Sequence, residues 1–180
     1  AGGYMVITQC DDHAPRRKRV EELRIRIVNQ FDTHEFKNMQ MHPKDTGGSF
    51  FEIDQQLGEG ALDPDGPWEP AGGANWKKAQ RTDRVARIAA AEIQCDDPSA
   101  VAARWGEIAQ LRVVTGKAPT IELDNATLRF VPCSDGRPEG LGGLDLATND
   151  RAAILATAKA RGVRTNGNQV QACGMRFNLL

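Results

Sequence analysis

The sequence predicts an α+β fold assembled from tandem β-α-β-β-β units. Three observations carry this expectation. The string QCDD occurs twice, in TQCDD at residues 8–12 and IQCDD at 93–97, each time closing an apolar run ahead of a helical pattern. Each of these strands hands over to its helix through Asp or Asn. The same order of elements then restarts after a long irregular stretch, and again after SDGRPEG at 134–140. Internal repetition decides architecture before any single residue does.

The elements follow in order. GYMVITQC (3–10) is rich in β-formers and reads as a strand. Asp12 caps the next helix, and Pro15 suits its first turn, where a missing N–H costs nothing. APRRKRVEELRIRI places Val20, Leu23 and Ile27 on one apolar stripe. RIVNQF and HEFKNMQMH read as strands, PKDTGG as a tight connection. SFFEIDQ is a further strand with Ser49, Phe51 and Ile53 on one face and Phe50, Glu52 and Asp54 on the other. Residues 57–86 are rich in Gly, Pro and Asp and read as a linker or arm pinned by Trp68 and Trp76.

After the arm, ARIAAAEIQC is a strand. Asp97 and Pro98 open a helix with Val101, Trp105 and Ile108 at core spacing. LRVV, TIELD and ATLRFVP complete the second unit. LGGLDLAT opens the third, Asn149 or Asp150 caps its helix, and Gly162 closes it as a left-handed C-cap. VRTN, QVQAC and MRFNLL are its closing strands. The expected organisation is a single unit at 1–57, an arm at 58–86, and a pair of units at 87–180.

Composition narrows the function. The chain has 180 residues, 40% hydrophobic and 26% charged, with a formal net charge of -1, so no global basic field attracts nucleic acid or an anionic membrane. The run RRKR (16–19) precedes Glu21 and Glu22 and reads as a solvated helix face. Cys10, Cys95, Cys133 and Cys173 form no CxxC pair or Cys/His cluster, which argues against zinc-ribbon and thioredoxin chemistry. Reduced, buried thiols in a cytoplasmic protein are expected, and the sequon NAT (125–127) is then idle. No apolar run approaches a membrane span. His13 and His34 read as solvated residues at a helix start and a turn.

MHPKDTGGSFFEID (41–54) is similar to the HPK…G…EL ending of glyoxalase-like and methylmalonyl-CoA epimerase-like domains. CDDPSAVAARWGEI (95–108) resembles their strand-to-helix junction. On these residues and the repeated units, the chain resembles the vicinal oxygen chelate superfamily, which includes glyoxalase I, bleomycin-resistance proteins and extradiol dioxygenases. The resemblance implies open, cupped sheets made by pairing two units. With three units counted, the chain resembles a two-domain glyoxalase-like protein lacking its first unit. The implied consequence is an orphan sheet face that drives homo-oligomerisation or association with a missing unit.

The resemblance also implies a divalent metal in the cup, held by His, Gln or Glu from the first and last strands of each unit, beside a substrate carbonyl. In the first unit the last-strand position falls on Glu52, but the first-strand position, counted back from Asp12, falls on Met5. The second-unit counterpart is Ala90, and the third closes with Arg176 and Asn178. One divalent ion or none are both open. The candidate site is therefore Glu52 as general base or lone metal ligand and His42 as its catalytic partner. Gln9, Gln40, Lys44, Asp45 and Phe50 complete it as ligand-binding residues. The alternative is that His42 caps a turn and Glu52 is a partly exposed strand residue. The implied activities are a lyase, isomerase or epimerase acting beside a carbonyl, a metal-free binding protein lined by Phe36, Phe50 and Trp68, or a non-catalytic assembly domain.

Overall fold

Each strand does hand over to its helix through an aspartate in the computed structural model, which describes residues 2–180. Asp12 accepts from Ala14 N at 3.0 Å, Asp97 from Ala100 N at 3.0 Å and Asp150 from Ala153 N at 2.9 Å. Each satisfies a donor that the first helical turn leaves open. Asn149, the other candidate cap, instead donates to Thr82 O.

The first set of elements is β1 (Met5–Gln9), α1 (His13–Glu22), β2 (Ile27–Asp32), β3 (Phe36–Met41), α2 (Pro43–Thr46) and β4 (Phe50–Gln56). The second is β5 (Val85–Cys95), α3 (Pro98–Ala109), β6 (Val113–Val114), β7 (Thr120–Glu122) and β8 (Thr127–Pro132). The third is β9 (Gly140–Thr148), α4 (Arg151–Ala160), β10 (Arg164–Asn166), β11 (Gln169–Ala172) and β12 (Met175–Leu179). The chain divides into two compact units, one of Val6–Thr46 with Phe50–Gln80, the other of Arg81–Leu180 with Gly47–Ser49 and the residues up to Met5.

The smaller unit holds a four-stranded sheet in the order β1-β4-β3-β2. Alternation assigns its faces: Met39, Met41, Phe51 and Ile53 are buried apolar positions, joined in the core by Val20 and Ile25. The helical stripe is shorter than its pattern predicts. Leu23 is already the C-cap, Arg24 turns to a φ of 54°, and Ile27 opens β2 instead of continuing α1. His13 is also unlike its expectation: it is fully buried, with Nε2 2.8 Å from Ile53 O.

The arm folds onto the smaller unit. Trp68 meets Phe36 edge-on at 5.8 Å, Glu69 N donates to Gln56 Oε1, and Gln9 Nε2 donates to Ala61 O. Trp76 donates to Gly66 O and so pins the arm to itself.

The larger unit is one eight-stranded sheet in the order β10-β11-β12-β9-β5-β8-β7-β6. β5 and β9 pair antiparallel at its centre, and each pairs in parallel with the closing strand of its own repeat, β8 or β12. Trp105 of α3 is fully buried and meets Phe130 edge-on at 5.5 Å. Ala158 of α4 packs with Val170 and Leu179, and Leu146 and Phe177 pack against that cluster. Tandem β-α-β-β-β units forming open, unclosed sheets are thus the architecture.

This pairing overturns the expectation of a protein with its first unit absent, and with it the expected missing partner. Two full β-α-β-β-β units, β5–β8 with α3 and β9–β12 with α4, are present in one chain and complete each other through β5 and β9. The physical premise also fails in the smaller unit. The face of its sheet opposite Phe51 and Ile53 sets Asn38, Gln40, Glu52, Asp54 and Gln56 among Phe36 and Phe50, so among the described residues it is not an uninterrupted apolar face. Among the described residues no helix is long and apolar enough to cross a membrane.

Candidate functional site

The polar face of the smaller sheet is set by strand register. β4 carries Phe50, Glu52, Asp54 and Gln56 on one side, and Gln40 of β3 stands opposite Glu52. Glu52, Asp54, Gln56 and Asn38 are all buried. Asn38 Nδ2 donates to Asp54 Oδ1 at 3.0 Å, and Asn29 donates to Asn38 Oδ1 at 3.3 Å. Asp54 Oδ2 is buried without a protein donor. Burial, and then the Glu52 charge, push Asp54 up to about 7, and burial raises Glu52 as well. Two carboxyl groups this close, with no cation compensating them, hold a proton near neutral pH.

The other predicted residues spread out along the chain. Phe50 lies one pleat from Glu52 on the same face. His42 stands ahead of α2, where its Nδ1 accepts from Lys44 N at 3.1 Å and its carbonyl accepts from Asp45 N. Lys44 is exposed. Asp45 is gripped by Arg26, whose Nε and Nη2 both donate to it at 2.8 Å, and these hydrogen bonds hold its carboxyl well below the usual carboxylate range. Gln9 is exposed on β1 and reaches the arm. The structure thus gathers Glu52, Gln40 and Phe50 on one face, and puts His42, Lys44 and Asp45 at a helix start.

A second polar constellation lies on the larger sheet; the sequence reading names Arg176 and Asn178 of it and misses Glu92, Asp145 and Arg129. The four central strands, β12-β9-β5-β8, are the first and last strands of the two units. They bear Arg176, Asp145, Glu92 and Arg129. Arg176 Nε donates to Glu92 Oε1 at 2.7 Å, and Arg129 Nη2 donates to Glu92 Oε2 at 2.9 Å and to Asp145 Oδ1 at 2.9 Å. Asn178 adds a bond to Asp145 at 2.7 Å. Burial would raise Asp145, but the bonds from Arg129 and Asn178 outweigh it and hold the carboxyl below its ordinary value. Asp135, on the connection between the units, pairs with Arg137 and Arg176.

A signal for these residues exists in the sequence. Counting back from the capping Asp97 to Ala90 overshoots by one pleat. Five residues before Asp97 is Glu92, and five before Asp150 is Asp145. The register agrees, since Glu92 stands opposite Gly143 and Ala90 opposite Asp145 across the β5–β9 pair.

A divalent ion is what the fold leads one to look for on these strands, and the donor set does not fit it. Both sheet carboxylates are bonded to guanidinium groups, and no imidazole stands among them. A cation there would meet the charges of Arg129 and Arg176. Nor is any group of three or more His, Cys, Asp or Glu placed to hold a metal elsewhere among the described residues.

No protein-family model matches the chain, and no curated protein matches it in sequence. Solved structures do match. A hypothetical protein from Staphylococcus aureus superposes with a TM-score of 0.57 over 97% of this chain and 64% of its own, at 12% identity. The 2,2',3-trihydroxybiphenyl 1,2-dioxygenase from Sphingomonas wittichii strain RW1 gives 0.61 over 98% of this chain and 69% of its own, at 13% identity. The homoprotocatechuate 2,3-dioxygenase from Arthrobacter globiformis gives 0.58 over 98% and 60%, at 11% identity. This is the vicinal oxygen chelate fold. At such identities the likeness is one of fold, and this chain spans 60–69% of the length of these three structures.

Proposed function

We propose that the polar face of the smaller sheet acts on a small carbonyl compound by proton transfer, as an isomerase or epimerase does, with Glu52 and Asp54 as base and acid. The observation that carries this reading is a buried carboxyl pair sharing one strand face without a compensating cation. Such a pair is poised to exchange protons near neutral pH. The ionised member removes a proton from the carbon beside the carbonyl, and its protonated neighbour delivers one to the developing enolate oxygen. For a 2-hydroxy carbonyl compound, the first carboxyl then gives its proton to the former carbonyl carbon while the second, now ionised, takes the proton of the adjacent hydroxyl, which moves the carbonyl by one carbon and completes isomerisation. Asn38 holds Asp54 in place at 3.0 Å. Positioned acid–base groups of this kind contribute about 10²–10⁴-fold in rate.

A second reading is supported by the Phe36–Trp68 edge-on pair beside Gln56: an aromatic-rimmed binding site of the bleomycin-resistance kind, without turnover. One experiment separates the two. The protein is incubated in D₂O with a panel of 2-keto, 2-hydroxy and thioester acids and followed by proton NMR. Exchange of an α-proton, lost in Glu52→Gln and in Asp54→Asn, supports proton transfer. Ligand line-broadening with no exchange at any pH supports binding alone and rejects the acid–base role.

A further inference from the structure

We infer that in the larger unit two arginines of the closing strands take the place of a metal cation, so that this sheet is held together and made electrically neutral by its own side chains. Three features carry the inference. The first is the placement: the opening strands β5 and β9 supply the carboxylates Glu92 and Asp145, while the closing strands β8 and β12 supply the guanidiniums Arg129 and Arg176. Across the four adjacent strands the two carboxylates lie side by side at the centre, flanked on either side by a guanidinium. The second is valence. Glu92 gives one oxygen to Arg176 and the other to Arg129, and Arg129 also takes Asp145. Counting the Asp135–Arg137 pair, three carboxylates meet three guanidiniums and no charge is left over.

The third feature is room made for the substitute cation. In the cross-strand row, Arg129, Glu92, Gly143 and Arg176 stand side by side. Arg176 bonds Glu92 over Gly143, and the register slips between Glu92 and Ile93 so that Gly142 lies in the same passage. A Cβ on Gly143 would lie 2.7 Å from Arg176 O and 3.3 Å from Glu92 Oε1, and one on Gly142 would meet the Arg176 guanidinium itself. Two adjacent glycines in the middle of a central strand weaken the strand and call for such a reason. A guanidinium suits the task because its planar fork satisfies a carboxylate bidentately and keeps its charge at every accessible pH.

The test titrates Mn²⁺ and Zn²⁺ into the intact protein, reading thermal unfolding and calorimetric binding in wild type and in Glu92→Gln. Neither ion is expected to raise the unfolding temperature of wild type through this site, so any weak binding elsewhere is equal in the two proteins. Saturable uptake of about one ion per chain that Glu92→Gln abolishes would overturn the inference. The converse arm uses Arg129→His with Arg176→His, which leaves both carboxylates beside two imidazoles. Its affinity for Zn²⁺ is expected to exceed that of wild type by at least about tenfold. A folded double variant with no gain shows that the guanidiniums are not what excludes the ion, and also overturns it. If the double variant does not fold, the comparison of wild type with Glu92→Gln decides.

Discussion

Arg176 bonds Glu92 across the bare backbone of Gly143, Nε to Oε1 at 2.7 Å, although the two residues lie 84 positions apart in sequence. Gly143→Ala puts a methyl group into that passage. The expected result is a loss of about 1–3 kcal/mol, measured by denaturant unfolding. Gly116→Ala, where the nearest atom to the new carbon is 3.8 Å away, is the neutral control.

Arg129 serves two carboxylates, and its side chain is 28% exposed. Arg129→Met leaves Glu92 and Asp145 buried with half their partners. Breaking a largely buried pair costs about 3 kcal/mol. Arg26→Met, which removes the exposed partner of Asp45, is expected to leave the unfolding temperature nearly unchanged.

Asp54 should make stability fall as pH rises. Its folded carboxyl stands at about 7, above the ordinary 3.8, so between those values the folded chain holds a proton that the unfolded chain releases. The stability it contributes is complete below 3.8 and lost as pH rises through about 7. In Asp54→Asn that decline is expected to vanish, a difference on the order of a few kcal/mol between low and high pH. Parallel pH profiles for the two proteins would contradict this.

His13 works in the opposite sense. Burial lowers it below its ordinary 6.5, and its Nδ1 is buried without a partner. Its contribution is complete above 6.5 and lost as pH falls toward its lower folded value. The stability gap between wild type and His13→Gln should therefore narrow on acidification, as read by urea unfolding across that range.

The helix caps offer a simpler test. Asp97→Ala removes the bond to Ala100 N and is expected to cost about 0.5–2 kcal/mol. Asn149→Ala removes a bond to Thr82 O instead and should leave the start of α4 intact, as judged by amide exchange of Ala153.

The caps were legible because capping is local: an Asp with a free carboxylate meets the open amides two or three residues ahead, whatever else the chain does. Strand faces were legible for the same kind of reason, since alternation alone places Glu52 and Asp54 opposite Phe51 and Ile53. The end of α1 was not. The apolar stripe runs on through Leu23 and Ile27, but Arg24 turns left-handed and Ile27 goes to the sheet, because β2 must reach β3. His13 departs from the expected solvated helix start for a related reason. A helix start is polar by itself, and only the carbonyl of Ile53, contributed by a strand 40 residues away, makes burial tolerable.

The repeat of strand, capping aspartate and helix was sufficient to specify the β-α-β-β-β units, because periodicity and capping are encoded within each unit. That the pair of units at 87–180 joins through β5 and β9, antiparallel and about 50 residues apart, was decided only by the tertiary structure. The same tertiary step decided the chemistry of the larger sheet. Glu92, Arg129, Asp145 and Arg176 are unremarkable charges along the chain. Four strands set side by side, with glycines between them, make them one neutral network.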